Sequence, residues 1–127
     1  MMKISFDDLP LVDLPWVEAY LEDLGQDVAV TIWEEETLPK IWPDWMLIEA
    51  AVERADWHSV KKGVHSLRTP LGQYGLKRIW RILQEWEEHF SDPEAARLFL
   101  PMGEATLRDS LEELRRWYPA FFPPAST

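Results

Sequence analysis

Apolar residues return every three or four positions along most of this chain, and the strict alternation of half-buried strands is scarce. Leu14, Val17, Leu21 and Leu24 form the first such series, with Pro15 near its start and Gly25 just past its end. Proline fits the first turn of a helix, where its missing N–H leaves no gap, and glycine suits the position after the last turn. The spacing predicts a helix over 14–24. A second helix is expected over 27–38, with Glu34, Glu35 and Glu36 forming a solvated face rather than a metal site. Pro39 and Pro43 should interrupt or end it. The next segment, 44–55, carries Trp45, Ile48, Ala51 and Val52 on one side.

Asp56 is a good N-cap for a central helix whose apolar residues are Trp57, Val60, Val64, Leu67, Leu71 and Tyr74. Their spacings alternate between three and four, the seam of a bundle helix. Gly75 permits a tight turn, and Leu76, Ile79, Leu83 and Trp86 set the phase of a helix over 76–90. Ser91, Asp92, Pro93 and Glu94 combine a cap, a first-turn proline and a first-turn acid, a strong helix opening. The last helix should continue to about residue 118 through Leu100, Leu107, Leu111, Leu114 and Tyr118, bent near Pro101 and Gly103. Pro119, Pro123 and Pro124 end it, leaving a tail, 119–127, that is loose or packed by Phe121 and Phe122. Neither an internal repeat nor a linker divides the chain. Residues 1–127 therefore read as one all-α domain, an antiparallel helical bundle with short connections.

Composition narrows the setting. At 127 residues, 46% hydrophobic and 28% charged, this is an ordinary globular chain with room for a core. No apolar run approaches the ~20 residues that cross a bilayer, and residues 1–8 lack the apolar stretch of a signal peptide, so a cytoplasmic setting is expected. With no cysteine there is no disulfide, thiolate metal site or cysteine nucleophile. A net charge of −10 argues against nucleic acid or membrane partners and makes any local basic patch stand out. Eight tryptophans are many for this length. Trp57, Trp80, Trp86 and Trp117 are expected to fill gaps between helices, while Trp33, Trp42 and Trp45, around the two prolines, either join the core or form an exposed docking patch.

The candidate chemistry lies on the central helix. At 100° per residue His65 falls roughly 130° from the apolar seam, on the polar side. Lys61 and Thr69 lie one turn before and after it, Lys62 and Arg68 are its three-apart neighbours, and Gly72 lies two turns on. A neutral imidazole is a nucleophile, and neighbouring cations favour the neutral form. Attack on an acyl phosphate gives a phosphoimidazole, while Lys and Arg offset charge on the transferring oxygens. Gly72, lacking a side chain, would let a partner come close.

The segment from His65 to Gly75 resembles the signature of histidine-containing phosphotransfer (HPt) domains: His-x-Leu-Lys-Gly, then a Gly six residues after the motif's own. His65, Leu67, Arg68 in place of Lys, and Gly75 match it, and Gly72 falls where the family commonly has a small residue. Asp56 and Trp57, nine and eight residues before His65, resemble the family's Asp followed by an apolar residue. Thr69 stands where the family prefers Gly, and Pro70 should bend the helix just after the site. The resemblance implies a four-helix bundle over about 26–118 with an additional N-terminal helix. It implies that His65 exchanges a phosphoryl group with an aspartate on the receiver domain of a response regulator or hybrid sensor kinase. Leu67 would be the buried anchor, and Arg68, with Lys61 or Lys62, the phosphate and partner contact. Such a chain is a phosphocarrier, expected to be monomeric, with no kinase activity and no cofactor of its own; magnesium would belong to the receiver.

Other groups carry less. His58 and His65 are about 10 Å apart by helix rise, too far for one metal ion without a third group between them. His89 reads as a capping or surface histidine. No glycine-rich phosphate loop is present, Glu87 and Glu88 look like ordinary helix-face acids, and Ser66 and Ser110 have no visible base. Two rival readings remain: an HPt-like module that binds a signalling partner without transfer, and a helical adaptor using the region from Trp33 to Trp45.

Overall fold

The computed structural model describes residues 5–122, all of whose regular structure is helical. Residues 1–4 and 123–127 lie outside the described residues, and with them Pro123, Pro124 and half of the stretch read for a signal peptide. The elements are α1 (Leu14–Leu24), α2 (Gln26–Ile32), a π-turn (Trp33–Thr37), α3 (Leu38–Glu53), α4 (Trp57–Gln73), α5 (Lys77–Glu88), α6 (Pro93–Trp117) and a short 3₁₀ turn (Pro119–Phe121). Since α2, the π-turn and α3 follow without a break, five helices pack together.

Pro39 and Pro43 do not break the second helix. The wide π-turn resets the hydrogen-bond register just before them, which places Pro39 in the first turn of α3, where a missing N–H leaves no gap. Pro43 lies within α3, and both prolines are exposed, so the Pro39 carbonyl left without a donor is on the water side. Likewise α4 runs unbroken through Pro70, and α6 through Pro101.

Local signals fix the other boundaries. The Asp13 carboxylate caps α1 by accepting from the Trp16 N–H, and Asp92 caps α6 through the Glu94 N–H. Asp56 accepts from the Ser59 hydroxyl at 2.7 Å and the Ser59 N–H at 3.3 Å, which holds its carboxyl below the usual range. Helix α4 closes with a Schellman pattern: Leu76 N–H bonds to the Leu71 carbonyl and Gly75 N–H to that of Gly72, with Gly75 at φ +75°. The end of α3 uses the same pattern, but an alanine takes the left-handed position, Ala55 at φ +54°.

Packing runs α3 on α4, α4 on α5 and α5 on α6, with a lighter contact between α6 and α3. Between them lie Ile41, Trp45, Ile48, Val60, Val64, Leu67, Leu71, Ile79, Leu83, Trp86, Phe99 and Leu107, all buried. Trp45 and Trp86 meet edge to face at 6.1 Å, and Gly103 leaves room for Trp45, whose ring would lie 2.6 Å from an added Cβ. Trp33 is also buried, edge to face with Tyr74 at 4.8 Å and flanked by Phe121 and Phe122. This overturns the docking patch around Trp33, Trp42 and Trp45, since two of the three indoles are internal. Trp117, expected in the core, is instead 54% exposed, with its indole N–H donated to Glu113. The tail as far as Phe122 is packed rather than loose, because Phe121 fills the space beside Trp33 and Tyr74.

Helix α1 attaches to the α4–α5 turn. The Asp13 N–H donates to the Gly75 carbonyl at 2.8 Å, and Val17 packs so tightly on Gly75 that an added Cβ would lie 2.8 Å from its methyl. The Tyr118 hydroxyl donates to Glu18, tying α1 to the end of α6. Among the described residues, no helix is long and apolar enough to cross a membrane.

Candidate functional site

Antiparallel pairing of α4 and α5 builds the surface around His65. Reading along α4, Lys61 lies over the Phe90 ring at 5.0 Å, His65 meets Glu87, and Arg68 reaches both Glu87 and the Trp80 ring. Gly72 then lies under Trp80, whose indole would be 2.5 Å from a Cβ placed there. The shift of one turn on α4 matches one turn on α5 in reverse, as ridges on paired helices require. The glycine is therefore already used inside the chain: Trp80, rather than a partner, occupies the space above Gly72.

His65 is exposed, with 57% of its side chain open to solvent. Its Nδ1 is 2.8 Å from Glu87 Oε1, and a carboxylate can only accept, so Nδ1 carries the proton and donates it to that bond. The Arg68 guanidinium also approaches Nδ1, but at 3.4 Å it is the weaker contact, and two donors cannot bond each other. Arg68 is held instead by Glu87 Oε2 at 3.3 Å, an ionic contact without hydrogen-bond alignment. Among the described residues every hydrogen-bond contact of the imidazole runs through Nδ1, and Nε2 makes none.

The charge around the imidazole thus differs from the sequence expectation of a histidine between cations. Its nearest charged neighbour is the Glu87 carboxylate, with Arg68 neutralising the far oxygen. Lys61 and Lys62 are exposed one turn earlier, and Thr69 is exposed one turn later, its hydroxyl donating to the His65 carbonyl at 3.4 Å. Leu67 is buried on the opposite side. Glu87, dismissed in the sequence as a helix-face acid, is the partner of His65 that sequence reasoning missed. Its signal is its phase: Glu87 lies next to Trp86 on the α5 edge that also carries Trp80, so it borders the seam toward α4.

Beside this surface lies a cleft of about 410 Å³ lined by Arg68, Thr69, Gly72 and Gln73 of α4, Gly75 of the turn, Trp80 and Lys77 of α5, Trp16 of α1 and its N-cap Asp13. The Trp16 indole N–H donates to the Gln73 carbonyl at 3.0 Å, and Lys77 pairs with Asp13 at 3.6 Å.

The remaining histidines are not part of it. His58 is exposed in the first turn of α4, and His89 caps the end of α5 with its Nε2 3.6 Å from Glu85. Glu85, Glu88 and His89 do gather their ligand atoms within 4.8 Å, but Glu85 already accepts from Arg81 at 2.8 Å. Comparisons with protein-family models, curated proteins and solved structures found no match.

Proposed function

We propose that this chain is a histidine phosphotransfer protein of the HPt type, relaying a phosphoryl group between His65 and aspartates of receiver domains in a two-component phosphorelay. The observation that carries the reading is the exposed imidazole whose Nδ1 is held by Glu87, with no hydrogen bond at Nε2 among the described residues. In this reading α2–α3, α4, α5 and α6 are the four-helix bundle, and α1 is the additional N-terminal helix. The protein works as a monomeric cytoplasmic carrier without kinase activity or cofactor.

The chemistry follows from the pair. Nε2 attacks the phosphorus of a receiver phosphoaspartate, an N–P bond forms, the P–O bond breaks, and the aspartate carboxylate leaves. The ring gains positive charge in that step, and the Glu87 carboxylate at Nδ1–H stabilises it, as a buried acid stabilises an imidazolium in hydrolases. Arg68 sits at the same carboxylate and shields the incoming phosphoryl oxygens from its charge. Lys61 and Lys62 add cationic potential at the approach.

The test is incubation with phosphorylated receiver domains. Acid-labile, base-stable label should appear on the wild type and be absent from His65→Ala. Label on His65→Ala at the wild-type level sinks the assignment. A second reading, partner binding without transfer, is favoured by the Arg68–Glu87 ion pair, which engages the cation that would otherwise meet phosphate. Binding of a receiver unchanged by His65→Gln, with no label, would support that one.

A further inference from the structure

The cleft between α1 and α5 opens on the same surface as His65, and Arg68 belongs to both. Its lining includes the indoles of Trp16 and Trp80, which close on Gly75 and Gly72 where a side chain would not fit. Trp16 is 54% exposed, an uncommon state for the largest apolar side chain, and it is fixed by its bond to the Gln73 carbonyl. A rigid, solvent-open tryptophan wall is the kind of feature that forms the energetic centre of a protein interface.

The charged groups at the rim already have internal partners, Lys77 with Asp13 and Arg68 with Glu87, and the Trp16 N–H is donated to the Gln73 carbonyl. What the cleft offers a newcomer is therefore apolar wall, suited to a large apolar side chain. The surrounding charge selects what flanks that side chain. Helices α1 to α3, with their π-turn, carry ten acidic residues against the single cation Lys40, whereas α4 carries Lys61, Lys62 and Arg68 and no acid. In a chain of net charge −10 this is the basic face, and it draws an acidic surface.

We infer that the Trp16–Trp80 cleft is the docking pocket of the partner that meets His65: it takes one large apolar side chain from an acidic surface of the receiver domain. This inference rests on the phosphotransfer reading. It gives α1 a role, since without α1 the cleft has no Trp16 wall. It also gives Gly75 a reason independent of phosphate chemistry, since Gly75 lets α1 close on the α4–α5 turn.

The experiment uses the full chain and the purified receiver domains encoded in the same genome, with affinity read by calorimetry and transfer by label on His65. Trp16→Ala removes a wall and Lys77→Glu reverses the rim charge; circular dichroism and thermal unfolding confirm that each folds. Each should weaken the binding of a receiver that labels the wild type by about ten-fold or more. Labelling of His65 by phosphoramidate, which needs no protein partner, should stay within about two-fold, because neither residue touches the imidazole. Wild-type affinity in both folded variants overturns the inference and leaves the phosphotransfer reading standing. If no receiver labels the wild type, the phosphotransfer reading fails, and the docking pocket with it.

Discussion

The imidazole of His65 and the carboxylate of Glu87 meet at 2.8 Å across the α4–α5 interface, 22 residues apart in the chain. A hydrogen bond at that distance to an ionised acceptor fixes both the ring orientation and the tautomer. Glu87→Ala should therefore lower the rate of label transfer to His65 by about ten-fold or more, as loss of an orienting carboxylate does elsewhere. Glu87→Gln, which still accepts through its carbonyl, should fall between the two. Nitrogen NMR of the wild type should find the proton on Nδ1. Unchanged transfer in Glu87→Ala would show that the pair does not position the nucleophile.

The two left-handed positions that end α3 and α4 are occupied by different residues, Ala55 and Gly75, and should respond oppositely to exchange. A side chain in the left-handed region costs roughly 1–2 kcal/mol, partly offset by the flexibility glycine adds to the unfolded chain. Ala55→Gly should stabilise by about 0.5–1 kcal/mol. Gly75→Ala should destabilise by about 2 kcal/mol or more, since its Cβ would also lie 2.8 Å from Val17 and 3.2 Å from the Asp13 carbonyl. Urea unfolding reads both, and a shift of the same sign in the two variants would contradict the assigned conformations.

What the sequence made legible follows the range of the forces involved. The caps at Asp56 and Asp92 and the turn at Gly75 depend on neighbours within a few residues, and the pattern of residue types carries them. The polar phase of His65 is equally local. The continuous helix through Pro39 and Pro43 was hidden because proline alone signals a break; the π-turn resolves this for Pro39 and the exposed position for Pro43. Trp33 and Trp45 could not be placed because their burial depends on Tyr74, Phe121, Trp86 and Gly103, brought from distant segments. Glu87 escaped for the same reason: its meeting with His65 is set by the register of two helices, which neither helix encodes by itself.

Stability should fall in alkali. Burial, assisted by the hydrogen bond to Glu18, raises the Tyr118 hydroxyl to about 12, and burial beside Tyr20 raises that of Tyr74 further. A phenol freed by unfolding ionises near pH 10, so above that value the unfolded state releases protons that the folded state retains. The stabilisation is thus whole below about pH 10 and is lost as pH rises through about 12 for Tyr118. Urea midpoints should hold to pH 9 and drop by pH 11, with a shallower drop in Tyr118→Phe. An equally steep fall in Tyr118→Phe would place the sensitivity elsewhere.

Two tryptophans at opposite extremes of burial test the packing. Trp86 is fully buried, edge to face with Trp45 and tilted against Phe99, so Trp86→Ala leaves a large void at the centre of the helices. Its expected cost is about 3–5 kcal/mol, a large part of the 5–15 kcal/mol typical of a whole domain. Trp117 leaves more than half its surface in water and bonds only the neighbouring turn through Glu113, so Trp117→Ala should change stability by about 0.5 kcal/mol or less. Iodide quenching separates the same classes without mutation: Trp16 and Trp117 are open to the quencher, while Trp33, Trp45 and Trp86 are shielded. The fluorescence should therefore divide into an accessible and a protected fraction, and Trp117→Phe should diminish the accessible one. Uniform quenching of the native protein would mean that the three internal indoles are not packed as described.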